Sequence, residues 1–233
     1  MTAPLASLPS EYSGYPADDH DVATLNTRLA QVFDLREHQN GERGEIESFI
    51  CQCFAAAHGA RISQFMPRLL SLRAKRGDLI AAFGLRSAAD SHLFLETYLN
   101  RPIEAVLQAR LGEKVRREEI IEVGNLSALY PGAARWLMVA LTAMLHDEGY
   151  KWVTFTGTAA LRNGFSRLNL RPVELGAATL QHLSPSDRAD WGRYYDHTPM
   201  VMAGDIAYGY RSLLMQRDLA ELLRAGMDSV DAA

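Results

Sequence analysis

Apolar residues in segment 45–57 recur at steps of three and four: Ile46, Phe49, Ile50, Cys53, Phe54 and Ala57. That spacing predicts a helix, and His58-Gly59 supply its stop. After Pro67, Leu70 and Leu72 mark a strand over residues 68–74, and Lys75-Arg76-Gly77-Asp78 is hairpin-turn material. A second strand over 79–86 carries Ala81, Ala82 and Gly84, small residues that suit a backbone packed closely by its neighbours. Two short helices follow, 94–98 and 103–111, divided by Asn100-Arg101-Pro102, with Pro102 suited to a first helical position.

From residue 119 strands and helices alternate. Residues 119–129 read as a strand and Tyr130-Pro131-Gly132 as a turn. Residues 133–148 read as a helix, apolar on most faces, with Arg135, Thr142 and His146 on one polar stripe and Gly149 at its end. Residues 152–156 are β-branched and aromatic, hence a strand; 158–168 form a second helix and 172–175 a short last strand. A largely apolar helix between two strands implies a crossover that covers a sheet face. The expected fold is α/β: a mixed central sheet with helices on both faces, plus a C-terminal extension.

Residues 1–44 hold several Pro, Gly, Ser and Asp residues and are read as a partly ordered leader, in which only 22–35 suit a short helix or strand. Residues 45–204 are the expected domain. Residues 205–233 are read as an amphipathic helix, with Leu213, Leu214, Leu219, Leu222, Leu223 and Met227 on its apolar side. Docking on the domain, pairing in a homodimer and lying on a membrane surface are its three uses, and its mixed charge favours the first two.

The chain has 233 residues, 48% hydrophobic and 22% charged, with a formal charge of -4, which is ordinary for a globular protein. Acidic and basic residues are interspersed. Arg110, Lys114, Arg116 and Arg117 are offset by Glu113, Glu118 and Glu119, so no nucleic-acid footprint is expected. Cys51 and Cys53 lie two residues apart on a predicted helix, point to opposite sides, and are read as buried thiols rather than metal ligands; no metal is expected. No secretory signal pattern is visible, and the longest strongly apolar helical stretch, 136–145, is too short to span a bilayer. A cytoplasmic location is expected.

The turn after the 119–129 strand brings backbone N–H groups to a helix start, and such unpaired amides favour anions such as a pyrophosphate. The element order over 45–175 resembles the GNAT acyltransferase fold. That resemblance implies a donor-phosphate site in the loop 129–134, and it matches Asn163 to an Asn that contacts a pantetheine arm. A resemblance covering more of the chain rests on four separated motifs: RISQFMPRLLSLRA; LFLETYL with PIEAVLQARLG; EIIEVGNLSALYPGAAR; and WGRYYDHTPMVMAGDI. Together they resemble the thermostable hemolysin family, whose fold is similar to GNAT proteins and, within them, to acyl-homoserine lactone synthases. The run Glu122-Val123-Gly124-Asn125-Leu126 is similar to the synthases' strand, with Asn125 where they place an Arg. The loop Tyr130-Pro131-Gly132-Ala133-Ala134 departs from the acetyltransferase signature, because Pro131 has no N–H to give.

The resemblance implies an N-acyltransferase. It would carry no permanent cofactor and would use an acyl-CoA or acyl-carrier-protein thioester as cosubstrate, with a small amine or amino-acid-like acceptor. Glu122, on a central strand where burial would raise its pKa, is the candidate base; the alternative is a structural pair with Arg86. Backbone amides near Leu126 and Ser127 would polarise the thioester carbonyl; for the Ser127 side chain, a plain strand-end role is the alternative. Gly132, Ala133, Arg135 and Asn163 complete the expected donor site, and Arg86, Asn125, Thr156, Trp191 and Tyr194 the acceptor side. Tyr194 or Tyr195 would protonate the leaving thiolate, and Tyr195 is carried as the second catalytic candidate. The aromatic run Trp191, Tyr194, Tyr195, His197 closes over substrate, forms a dimer contact, or is core. His197 has no partner spacing that supports a base. The other function class is a directly lytic protein, as the family name suggests. The sequence has no spanning segment, no alternating barrel strands and no strongly cationic helix. A membrane-active acylated product reconciles the two readings.

Overall fold

The computed structural model describes residues 25, 27, 29–38 and 41–215. Among them, seven strands form one sheet: β1 (Phe33–His38), β2 (Arg68–Ala74), β3 (Leu79–Ser87), β4 (Ile120–Ala128), β5 (Trp152–Gly157), β6 (Val173–Ala177) and β7 (Met200–Asp205). Their order is β1-β2-β3-β4-β5-β7-β6. The first four run antiparallel, β4 and β5 are parallel, and β7 pairs antiparallel with both β5 and β6. The main helices are α1 (Arg43–His58), α2 (Ile103–Leu111), α3 (Pro131–Asp147), α4 (Ala159–Arg167) and α5 (Ile206–Leu214). A 3-10 helix, Phe94–Tyr98, precedes α2.

Alternation along the strands sends successive side chains to two cores. Ala81, Phe83, Leu85, Ile121 and Val123 face α3 and α5, whose Leu137, Leu141 and Tyr210 close that side. Ala82 and Leu69 face Ile46 and Ile50 of α1, while Ile120 and Trp152 meet the 94–111 segment on the same opposite face. The sheet is therefore covered by helices on both sides. The α3 crossover is apolar almost all round because it lies between the sheet, α4 and α5.

Two strands were not legible in the hydrophobic pattern. β1 lies inside the segment read as a leader and forms the sheet edge beside β2, and Leu25, Leu29 and Val32 join the α3-side core. β7, in the aromatic-rich motif, inserts between β5 and β6, so residues 173–177 are an edge strand rather than the last strand of the chain. The two thiols are half-buried rather than buried: Cys51 Sγ donates to the Ile62 carbonyl at 3.2 Å, and Cys53 lies on the other side of α1. The expected helix beyond residue 205 begins as α5, and everything past Met215 lies outside the described residues.

Candidate active site

The sheet forks between β4 and β5. Their parallel register runs only from Ile120↔Trp152 to Val123↔Phe155. Beyond that point β5 keeps its pairing with β7, through Thr156↔Val201 and Gly157↔Met200, while β4 continues beside β3. The β3–β4 register also shifts, pairing Ala82 with Ser127 and Gly84 with Gly124. One extra residue on β4 makes a bulge, and Asn125 there takes the left-handed conformation with φ 52°. Asn125 and Leu126 thus have no register partner on either neighbouring strand.

The bulge is held by its own side chains. Asn125 Oδ1 accepts the Met66 N–H at 2.9 Å, and its Nδ2 donates to the Gln64 carbonyl at 3.3 Å. Ser127 Oγ donates to the Asn125 carbonyl at 3.1 Å. Met66 lies over the Gly84–Gly124 pair, where a Cβ on either glycine would come within 2.4 Å of it. The loop between α1 and β2 is thereby pinned across the fork.

A cleft of about 430 Å³ fills the fork. Val123 to Ala128 and Phe155 to Thr158 form its floor, Ile62 to Met66 and the end of α1 one wall, and Trp191 and Tyr194 its cover. A smaller cavity of about 50 Å³ lies beyond, lined by apolar side chains such as Leu141, Val153 and Phe165; it shares Val123, Leu126 and Phe155 with the cleft. Two helix starts border the cleft, α3 through Ala134 and α4 through Thr158 and Ala160. In the first turn of α3, the N–H groups of Gly132 and Ala133 have no intrahelical acceptor, whereas Ala134 donates to the Tyr130 carbonyl at 3.2 Å.

Glu122 projects from β4 into this cleft and is 2% exposed. Its two oxygens accept the N–H groups of Phe94 at 2.9 Å and Leu95 at 2.8 Å. Burial pushes its carboxyl above the usual range, against the opposing pull of those amides and of Arg86. Arg86 Nη1 lies 3.9 Å from it, an ion pair without a hydrogen bond. The structural alternative weighed for Glu122 therefore takes a different form: the carboxylate anchors the turn at residues 94–95 more closely than it holds Arg86.

The cover is aromatic. Trp191 stacks on Phe94 at 5.9 Å, and Tyr194 packs 5.3 Å from Trp191 and 5.1 Å from His58. Tyr194 Oη donates to the Thr156 carbonyl at 3.4 Å. The Tyr98 and Tyr195 hydroxyls are hydrogen-bonded to each other. Burial raises both, Tyr195 to about 12, so the pair stays protonated and acts through O–H donors.

Of the residues singled out by sequence, Arg86, Glu122, Asn125, Leu126, Ser127, Thr156, Trp191 and Tyr194 line this cleft. Tyr195 sits behind Tyr98. Gly132, Ala133, Arg135 and Asn163 lie outside the lining, with Ala133 in the core and Asn163 exposed on α4. Sequence reasoning missed Tyr98, Phe94 and His58. Tyr98 and Phe94 stood in the LFLETYL motif, but His58 was read only as a helix stop. The His58 ring lines the cleft, its Nδ1 is buried without a hydrogen-bond partner among the described residues, and burial, then His197 and Arg193, lower its pKa.

Residues 36–210 match the family model described as Thermostable hemolysin. No curated protein matches the chain. Solved structures similar to it include FeeM, an N-acyl amino acid synthase from uncultured soil microbes, at TM-score 0.53 and 14% identity, covering 81% of this chain and 99% of that one. TofI in an apo form is similar at TM-score 0.54 and 13% identity, covering 80% and 99%. TofI in a ternary complex with an inhibitor and MTA gives 0.50 and 14%, again over 80% and 99%. At such identities the likeness is one of fold, and that fold is GNAT-like.

Proposed function

We propose that this chain, which belongs to the thermostable hemolysin family, is an acyltransferase that moves an acyl group from a pantetheine thioester to the amine of a small acceptor. The observation that carries the reading is the fork beyond Val123 and Phe155, where the bulge at Asn125 and Leu126 has no strand partner. A pantetheine arm is an extended chain of amides, so it fits where a strand is missing. Acyl-CoA and an acyl carrier protein present the same arm, and either serves as donor.

The bulge amide at Leu126, which has no strand partner, would polarise the thioester carbonyl, while Ser127 stays paired with Ala82 on β3. The acyl chain would run past Leu126 toward the smaller apolar cavity. The amine nitrogen attacks the carbonyl carbon; the C–N bond forms and the C–S bond breaks. Glu122, with a raised pKa, takes the proton from nitrogen directly or through a water, and that proton ends on the leaving sulfur. Tyr98, steadied by Tyr195, and Tyr194 are O–H donors at the acceptor side.

FeeM is an N-acyl amino acid synthase, which supports an acylated amine as the product class. Such a product is an amphiphile, which links the reading to the lysis in the family's name. No helix among the described residues is long and apolar enough to cross a membrane. Purified protein incubated with octanoyl-CoA or an octanoyl carrier protein and a mixture of amines, followed by mass spectrometry, tests the reading. A new octanoyl amide is expected. Lysis of red cells by the purified protein without any donor, and no amide from either donor, would overturn it.

A further inference from the structure

We propose that Arg86 and Glu122 together read the head of an α-amino acid, so that the acceptor is a free amino acid with an apolar or aromatic side chain. The inference rests on the acyl-transfer reading and names its acceptor class.

Arg86 stands on β3, directly opposite Glu122 in the register. Its side chain is 25% exposed and lines the cleft. A guanidinium in such a place ordinarily spends its donors on a carboxylate in a bidentate pair. Here it makes no hydrogen bond among the described residues, and its one ion pair is the 3.9 Å approach to Glu122. Glu122 has already given its two oxygens to the Phe94 and Leu95 amides. The result is a partly buried cation with unspent, planar donors aimed at a cleft. Its donors face the cleft and are free to take up a ligand carboxylate in place of water.

The spacing selects the ligand. An α-amino acid carries its carboxylate and its amine on one carbon. A cationic fork and a proton acceptor about 4 Å apart match that pair of groups: carboxylate on Arg86, amine toward Glu122. The third substituent would then face the wall beside Glu122. Phe94 is anchored by Glu122 itself and stacks on Trp191, which packs on Tyr194. That wall is aromatic, so it favours an apolar or aromatic side chain over a charged one.

Calorimetry with N-octanoyl-phenylalanine and N-octanoyl-phenethylamine, which differ only in the carboxylate, tests the inference without turnover. Wild-type protein is expected to bind the carboxylate form at least about tenfold more tightly. Arg86→Gln should bring that ratio close to one, and Arg86→Lys should keep part of it; unfolding curves of both variants check that they are folded. Equal affinity for the two compounds in the wild type, or an unchanged ratio in both variants, would overturn the proposal. Turnover of octanoyl-CoA with phenylalanine is the separate arm. A bound, discriminated product with no turnover from either donor would sink the acyl-transfer reading and leave carboxylate recognition by Arg86 standing. Equal turnover of phenylalanine and phenethylamine would do the reverse.

Discussion

Gly192 passes so close to the end of α1 that a Cβ built on it would lie 2.3 Å from the carbonyl oxygen of His58. Next to this contact, the Arg193 N–H donates to that same carbonyl at 2.8 Å, and the Arg61 N–H donates to the Asp190 carbonyl at 2.7 Å. The aromatic cover of the cleft is thus strapped to the end of α1 by backbone hydrogen bonds as well as by ring contacts such as His58–Tyr194 and Phe54–Trp191, and only glycine permits the backbone approach. The atoms in the way are backbone atoms of His58 and Gly59, and Gly192 also has φ +51°. Gly192→Ala is therefore expected to cost at least about 2 kcal/mol, measured by urea unfolding. A loss under 0.5 kcal/mol (on the order of a neutral surface change) would show that the strap is looser than described.

The glycine pair under Met66 predicts an asymmetry. A Cβ on Gly84 meets Met66 Cβ at 2.4 Å, which cannot swing away without moving backbone. A Cβ on Gly124 meets Met66 Cε at 2.3 Å, the free end of a flexible chain. Gly84→Ala should destabilise by roughly 1–3 kcal/mol and Gly124→Ala by less, since overpacking is felt only where the neighbour cannot give. Thermal unfolding of the two variants side by side decides it; equal losses contradict the account.

Acid stability should depend on Glu96. Burial alone would raise its pKa, but Arg117, at 2.6 and 2.9 Å, and the N–H groups of Ile103 and Leu93, each at 2.8 Å, hold it at about 2 against an ordinary 4.5. A depressed carboxyl contributes stability that is fully present above its unfolded pKa and is lost as pH falls through the folded one. The window is thus roughly pH 5 to 2. Denaturant midpoints of the wild type should fall across it more steeply than those of Glu96→Gln, and parallel curves would contradict the assignment.

His58 should stay neutral at physiological pH. Protonation would place an N–H on the buried, unpartnered Nδ1, and burial already lowers its pKa below 6.5. For a histidine depressed in the folded state, the unfolded chain binds the proton first, so stability falls as pH drops below about 6.5. A ring-proton titration by NMR should give a midpoint below 6.5 for His58. A midpoint above it would mean that Nδ1 has an acceptor.

Most of the central architecture was legible because its elements announce themselves locally. The α1 periodicity, the 75–78 turn and the apolar crossover between β4 and β5 each reflect a face buried in the same way along a whole element. β7 was not legible: Met200 to Asp205 is six residues with little alternation, and its place between β5 and β6 is set by two partners far along the chain. The site divides in the same way. Glu122 was visible as an acidic residue on a central strand, and Asn125 through the resemblance of its run to the synthases' strand. Asn125's part in holding residues 64–66, and the partnership of Glu122 with the amides at 94 and 95, depend on contacts across 27 or more residues, which no local pattern encodes. His58 carried no signal beyond its position at a helix end.

The most direct test of the central claim is to ask where a pantetheine thioester lands. Octanoyl-pantetheine, the part shared by both donor types, would be titrated into isotope-labelled protein while backbone amides are followed by NMR. The account predicts saturable shifts largest at Asn125, Leu126 and Ser127 and along Phe155 to Thr158, with shifts at Val153 and Phe165 that grow with acyl length. Saturation with those amides unmoved, or no binding at millimolar ligand, would contradict it.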